Sequence, residues 1–378
     1  MTATEPSPVT LHSSAELIAS VPFLLGFHPT DSIVVIAMLQ GRVEFVARGD
    51  LPGQGSLTAI AQRMVSVLMR DDIDTVVLVG YGTARLVTPA LNAVRAVLTV
   101  TDIHVLDVIR VEDGRYWSLV CSDPRCCPPE GKPYDPSSSA IGAAAVYAGR
   151  VALADRGAVA ESIAPVDGSA REAMTLATIR ADGRLTALIE RARAEAGADS
   201  APTGGAGSAV RANARVARVL RAAGDEAVDA AVDRYRAGAR LTDDEVAWLS
   251  VLLVHLPVRD HAWEHTTDDE WQVDLWSDVV RRVDVDLVVA PASLLGFAAW
   301  RAGQGALASL AVDRALAVDP GYAMAQLLDE VLEQCIPPSA MIEADDPLPG
   351  PIHDRGWSQR NRKDRRQRVQ RDGLGKAS

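Results

Sequence analysis

The apolar positions of this chain fall into two regimes. In the first they come in short unbroken runs separated by turn residues. Ile33–Leu39 reads IVVIAML, a run suited to a strand buried on both faces. Gln40-Gly41 predicts a tight turn into a second strand, Val43–Ala47, giving a hairpin. Ser56 predicts an N-cap for a helix over Leu57–Met69, where Leu57, Ile60, Ala61, Met64, Val65 and Leu68 recur at helical spacing. Thr75–Val79 predicts a strand, and Leu86–Val97 a helix with Pro89 in its first turn. Ile103–Val111 and Arg115–Val120 flank Asp113-Gly114, a hairpin turn signal. The order β-β-α-β-α-β-β over residues 1–165 predicts an α/β domain with a mixed sheet.

Past a Pro- and Cys-rich loop at 122–136 the period turns helical. Ser139–Asp155, Ala170–Ile179 and Leu185–Ala196 read as helices, with residues 166–196 connecting the two halves of the chain. Residues 197–209 (GADSAPTGGAGSA) have linker composition and predict a domain boundary. Residues 210–336 read as an all-α domain. Thr242 with Glu245, and Thr267 with Glu270, form capping-box patterns ahead of Val246–Leu256 and Trp271–Val283. Trp248, Trp263, Trp271, Trp276 and Trp300 are expected to anchor its core. Within 289–332, Leu295-Gly296, Gly303, Ala308, Ala315-Leu316 and Pro320 fall at tetratricopeptide spacing. The expected fold is thus an α/β mixed-sheet N-terminal domain followed by an all-α, repeat-like C-terminal domain. Residues 337–378 are expected to be a disordered basic tail.

Charge narrows the partners. The 378 residues carry a formal net charge of −12, but residues 353–378 hold nine Arg/Lys and three Asp, or +6, which leaves −18 on residues 1–352. An acidic body repels phosphate, so nucleic acid is expected only at the basic segment 355–371. The longest apolar stretches fall short of the ~20 residues of a membrane span. The first residues, MTATEPSPVTLHSS, lack the basic-then-apolar pattern of a signal peptide. Four Cys are too few for a disulfide scaffold, and a cytoplasmic protein with reduced thiols is expected.

Three clusters carry candidate chemistry. Cys121, Cys126 and Cys127 lie within seven residues of a Pro-stiffened loop. They could converge on zinc, with Asp123, His104 or Cys335 as a fourth ligand, act as redox thiols, or simply pack the loop. His28, Asp31 and Ser32 precede a buried strand, and Arg48 and Asp50 end the next one. These residues could line a pocket at a sheet end, or serve only as turn caps. His261-Ala-Trp-Glu264-His265 matches H-x-x-E-H, but the predicted helix leaves about one turn for a motif that needs a long one, so surface residues around Trp263 are expected. No G-x-S-x-G elbow and no phosphate-loop motif is present, so no organic cofactor is expected.

PFLLGFHPTDSIVVIAM, Arg48-Gly-Asp-Leu-Pro52, Tyr116–Gly131 (YWSLVCSDPRCCPPEG), and the later RDHAW, DLW and AWRAG segments resemble an uncharacterised family of bacterial domains of unknown function. The resemblance spans roughly residues 10–340 and implies a cytosolic bacterial protein of high-GC Gram-positive type. It implies no activity, cofactor or catalytic residue. The leading expectation is a non-enzymatic binding or scaffold protein that meets an unknown protein partner through its helical half. The alternative is a ligand-binding, hydrolytic or redox domain sited near His28, Asp31, Arg48, Asp50 and the Cys loop.

Overall fold

The apolar run at 33–39 becomes β1 (Ser32–Leu39), buried at seven of its eight positions because helices cover both faces. The computed structural model describes residues 13–51, 57–69, 73–135, 142–143, 151–198 and 206–338. β1 is followed by β2 (Arg42–Asp50), α2 (Leu57–Leu68), β3 (Thr75–Tyr81), α3 (Ala84–Leu98), β4 (His104–Glu112), β5 (Arg115–Ser118) and β6 (Lys132–Pro133). The strands pair in the order β2-β1-β3-β4-β5-β6, with β3 and β4 parallel and the remaining neighbours antiparallel. Ile33, Val35, Val76, Leu78 and Val108 face α2 and α3. Val34, Ile36, Val77, Val79 and Ile109 face α1 (Ser14–Leu25).

α1 adds to the sequence reading, whose first element is the strand at Ile33–Leu39. Ser13 caps the helix by accepting from the Glu16 N–H at 3.2 Å, and Gly26 ends it at φ 82°. Pro22 lies inside the helix. Burial of Leu17, Ile18 and Val21 on the sheet outweighs the backbone bond that proline removes. The Ser56 cap, most of the expected 139–155 helix and the 355–371 basic segment lie outside the described residues. Gly142–Ala143 is helical and Val151–Asp155 is not.

The remaining chain is helical: α4 (Arg156–Ser162), α5 (Gly168–Ala198), α6 (Ala206–Arg236), α7 (Asp243–Leu252), α8 (Leu256–Glu264), α9 (Glu270–Arg282), a 3-10 turn at Val285–Leu287, α10 (Val289–Arg301), α11 (Gly305–Val318) and α12 (Ala323–Glu333). α5 runs unbroken through Asp182-Gly183, where composition predicts a gap. Ala177 and Ala181 bury one face, and Gly183 stands where a side chain would meet nothing. The ends of the Gly-rich segment 197–209 are themselves helical, and α5 and α6 share one core. Arg171 of α5 donates to the carbonyls of Arg282 and Val283, both at 3.1 Å.

The expected Val246–Leu256 helix stops at Leu252, and Pro257 opens the first turn of α8. The Thr242–Glu245 capping box forms. The Thr267 box does not: Asp269 is the N-cap of α9, and Thr267 donates to its carboxylate at 2.7 Å. α10 and α11 make the expected close pair. A Cβ on Gly296 would lie 2.8 Å from Val312 Cγ2. Among the described residues no helix is long and apolar enough to cross a membrane.

The two halves touch through Phe27. Its ring is buried in the helical core, and Leu153 bridges beside it through Leu153 N–H to Gly26 O (2.9 Å) and His28 N–H to Leu153 O (3.0 Å).

Candidate functional site: three thiols at a sheet edge

The chain leaves β5 at Ser118 and returns at β6, so the Cys-rich loop caps the β5 edge of the sheet. Asp123 organises it. Its carbonyl accepts the N–H groups of Cys126 (3.0 Å) and Cys127 (2.7 Å), and its carboxylate accepts from Arg125. Those Arg125 bonds hold the Asp123 carboxyl below its ordinary range. The far limb is pinned by Trp117 Nε1–H to Pro129 O (2.9 Å), and Arg110 stacks 3.6 Å from the Trp117 ring centre. Gly131, at φ 76°, is obligatory, because a Cβ there would overlap the Trp117 indole.

This scaffold brings the Sγ atoms of Cys121, Cys126 and Cys127 within 4.8 Å of one another. Cys121 and Cys127 are half-buried and Cys126 is exposed, and all three are free thiols. Hydrogen bonding from Cys127 lowers the pKa of Cys121, helped by the backbone at Asp123. The same bond, with burial, pushes the Cys127 thiol up to about 12. In that bond Cys121 is the acceptor and Cys127 the donor. Lys132 Nζ lies 3.8 Å from Cys126 Sγ. The expected fourth ligands do not join. Asp123 is engaged by Arg125, His104 opens β4, and Cys335 follows α12.

Asp31, Arg48 and Asp50 lie at the β2 side of the sheet, where β1 begins and β2 ends. Ser32 pairs with both Asp50 and Tyr81, and Val34 with Arg48, so Ser32, Arg48, Asp50 and Tyr81 share one face. Arg48 bonds Asp50 at 2.6 Å and lies 5.3 Å from the Phe27 ring centre. Asp31 Oδ1 sits against Gly82, while His28 is exposed. Among the described residues, Ser32 Oγ, Arg48 Nε and Tyr81 Oη are buried without a hydrogen-bond partner. Burial holds the Tyr81 hydroxyl well above the usual tyrosine range, with Tyr134 adding to it. This edge and the Cys loop do not form the single pocket that the sequence suggests. Arg48 on β2 and the loop beyond β5 are four strand spacings apart, roughly 19 Å.

A third cluster joins Asp229 of α6 to His261 of α8 and His265 just after it. Glu264 is exposed and outside the cluster, so H-x-x-E-H does not assemble as a protease motif.

A family model, a domain of unknown function (DUF4192), matches residues 15–339. The chain belongs to the DUF4192 family. No curated protein and no solved structure matches the chain. The DUF4192 match takes in the sheet, the three-thiol loop and the His/Asp cluster, and ends ahead of the basic segment. Within this DUF4192 domain, sequence reasoning misses Tyr81 as a member of the sheet end, and Asp225 and Asp229 as neighbours of the histidines. The four-residue Asp spacing is the only signal for the latter pair.

Proposed function

We propose that this protein is a non-enzymatic binding protein whose three-thiol loop captures a soft metal ion, zinc or copper(I). The observation that carries the reading is the convergence of three sulfurs within 4.8 Å on a loop whose backbone is fixed independently of them. Thiolates are soft donors and select such ions over magnesium or calcium. Three thiolates around a divalent ion leave one negative charge, and the Lys132 ammonium stands beside Cys126 to offset it. Zinc prefers four donors, so the fourth position would be taken by water or an incoming ligand.

Metal-free, reduced full-length protein is expected to take up one equivalent of copper(I), which the imidazole and carboxylate cluster of Asp229, His261 and His265 does not favour, in competition with a chromophoric chelator. Cys121→Ser and Cys126→Ser should each abolish that uptake. Retention of stoichiometric binding in both variants would overturn the reading.

The lowered pKa of Cys121 favours a second reading, in which a disulfide oxidant joins Cys121 and Cys126. The two thiols would lose two protons and two electrons, and the oxidant would leave as two thiols. A reversible mass loss at that pair, without metal uptake, supports this reading over the first. The tetratricopeptide spacing within 289–332 is the basis for the companion view that the helical half meets a protein partner. Reduced thiols accord with a cytoplasmic protein.

A further inference from the structure

We infer that Asp229, His261 and His265 form a second metal site, with Asp225 as a positioning residue behind His261, for a borderline divalent ion such as zinc, nickel or cobalt. This inference is independent of the thiol loop.

Two pairs at four-residue spacing face each other. Asp225 and Asp229 lie one turn apart on α6. His261 lies on α8, and His265 is the residue that caps it. The helices are brought together beside Asp225, where Gly224 lets Val258 press onto α6. A Cβ on Gly224 would overlap Val258 Cγ2 and come 2.6 Å from Cγ1. The ligand atoms of Asp229, His261 and His265 all lie within 4.8 Å of one another.

Hydrogen bonding has already set the rings for coordination. His265 Nδ1 is 2.8 Å from the His261 carbonyl. A carbonyl oxygen only accepts, so Nδ1 carries the proton and Nε2 keeps its lone pair. That is the arrangement by which a backbone carbonyl fixes a ligating imidazole. The two rings are 4.2 Å apart, centre to centre, and tilted by 48°.

His261 points a nitrogen at each carboxylate, Nε2 at Asp229 Oδ1 (2.9 Å) and Nδ1 at Asp225 Oδ1 (3.9 Å). A neutral imidazole has one N–H and cannot serve both. Among the described residues Asp225 Oδ1 has no hydrogen-bond partner, while its other oxygen faces Arg221 at 3.5 Å. An ion held by His261 Nε2, His265 Nε2 and one Asp229 oxygen resolves this, because His261 Nδ1 then keeps its proton and faces Asp225, and two imidazole nitrogens with a carboxylate oxygen suit an ion of this class. All four residues stand on helices or a helix cap, so the ion would clamp α6 to α8. No reaction is implied by this geometry, since Glu264 is outside the cluster.

The test uses full-length protein carrying Cys121→Ser, Cys126→Ser and Cys127→Ser, which removes the thiol loop from the readout. Cobalt(II) is the probe. One equivalent should bind, with ligand-field bands but without the charge-transfer absorption of thiolate ligation. His265→Asn and Asp229→Asn should each weaken binding by at least about tenfold. Both side chains are exposed, and an unchanged metal-free melting temperature shows that the variants fold. Absence of binding at millimolar cobalt overturns the inference and leaves a cluster held by a proton only. Binding undiminished in both variants overturns it equally.

Discussion

At the scale of the residue, the least expected feature is the group of polar atoms, unsatisfied among the described residues, where β1 begins and β3 ends. A hydroxyl buried without a partner costs about 1–3 kcal/mol. Tyr81→Phe removes one such group and leaves the ring packing intact. It should raise the unfolding free energy by about 1 kcal/mol, read from the midpoint of a urea titration at constant slope. A loss of similar size would show that the hydroxyl has a partner in solution. The thiol site is legible in the sequence because its three ligands are near neighbours in the chain. The His/Asp cluster is only half legible, because its carboxylates arrive from a helix some thirty residues upstream. Asp225 and Asp229 look like ordinary solvated charges until α8 is laid against them.

At the scale of the element, the strands can be read from their apolar runs, since burial on both faces leaves little room for alternation. Helix ends are less readable. Thr242 forms its box with Glu245, but Thr267 loses the same contest to Asp269, which stands nearer the first turn. α1 and the unbroken α5 are hidden by Pro22 and by Asp182-Gly183, because packing overrides local preference. Two glycines make the point measurable. Gly224→Ala should destabilise the protein by about 1–3 kcal/mol through overlap with Val258. Gly183→Ala, in open space on α5, should stabilise it by up to about 1 kcal/mol. Chemical denaturation of both variants checks the contrast. Equal effects would mean that the α6–α8 approach yields freely.

At the scale of the whole molecule, composition and packing divide the chain differently. The Gly-rich segment at 197–209 looks like a place to cut, yet the helices flanking it bury Met174, Ala177, Leu220 and Val228 in one core. Arg180 of α5 also reaches Asp244 of α7 at 2.5 Å. A fragment of residues 210–338 is therefore expected to lose the cooperative thermal transition that a fragment of residues 156–338 retains. Circular dichroism melts of the two decide the matter. Matching sharp transitions would make the segment a true boundary.

Phe27 adds a constraint in time. Every pairing of the sheet lies between residues 32 and 133, so the sheet can close as soon as that stretch leaves the ribosome. Leu153 and the helical core that receive Phe27 lie 126 residues or more downstream. From the last sheet residue, 133, to the end of the helical core at Leu328 is 195 residues, so at about 5–20 residues per second the ring waits roughly 10–39 s beside the closed sheet for its site to be complete. For that interval the newborn chain displays an aromatic anchor beside a finished sheet. A chaperone that grips such anchors would have its window there, and it would close when the helical half docks.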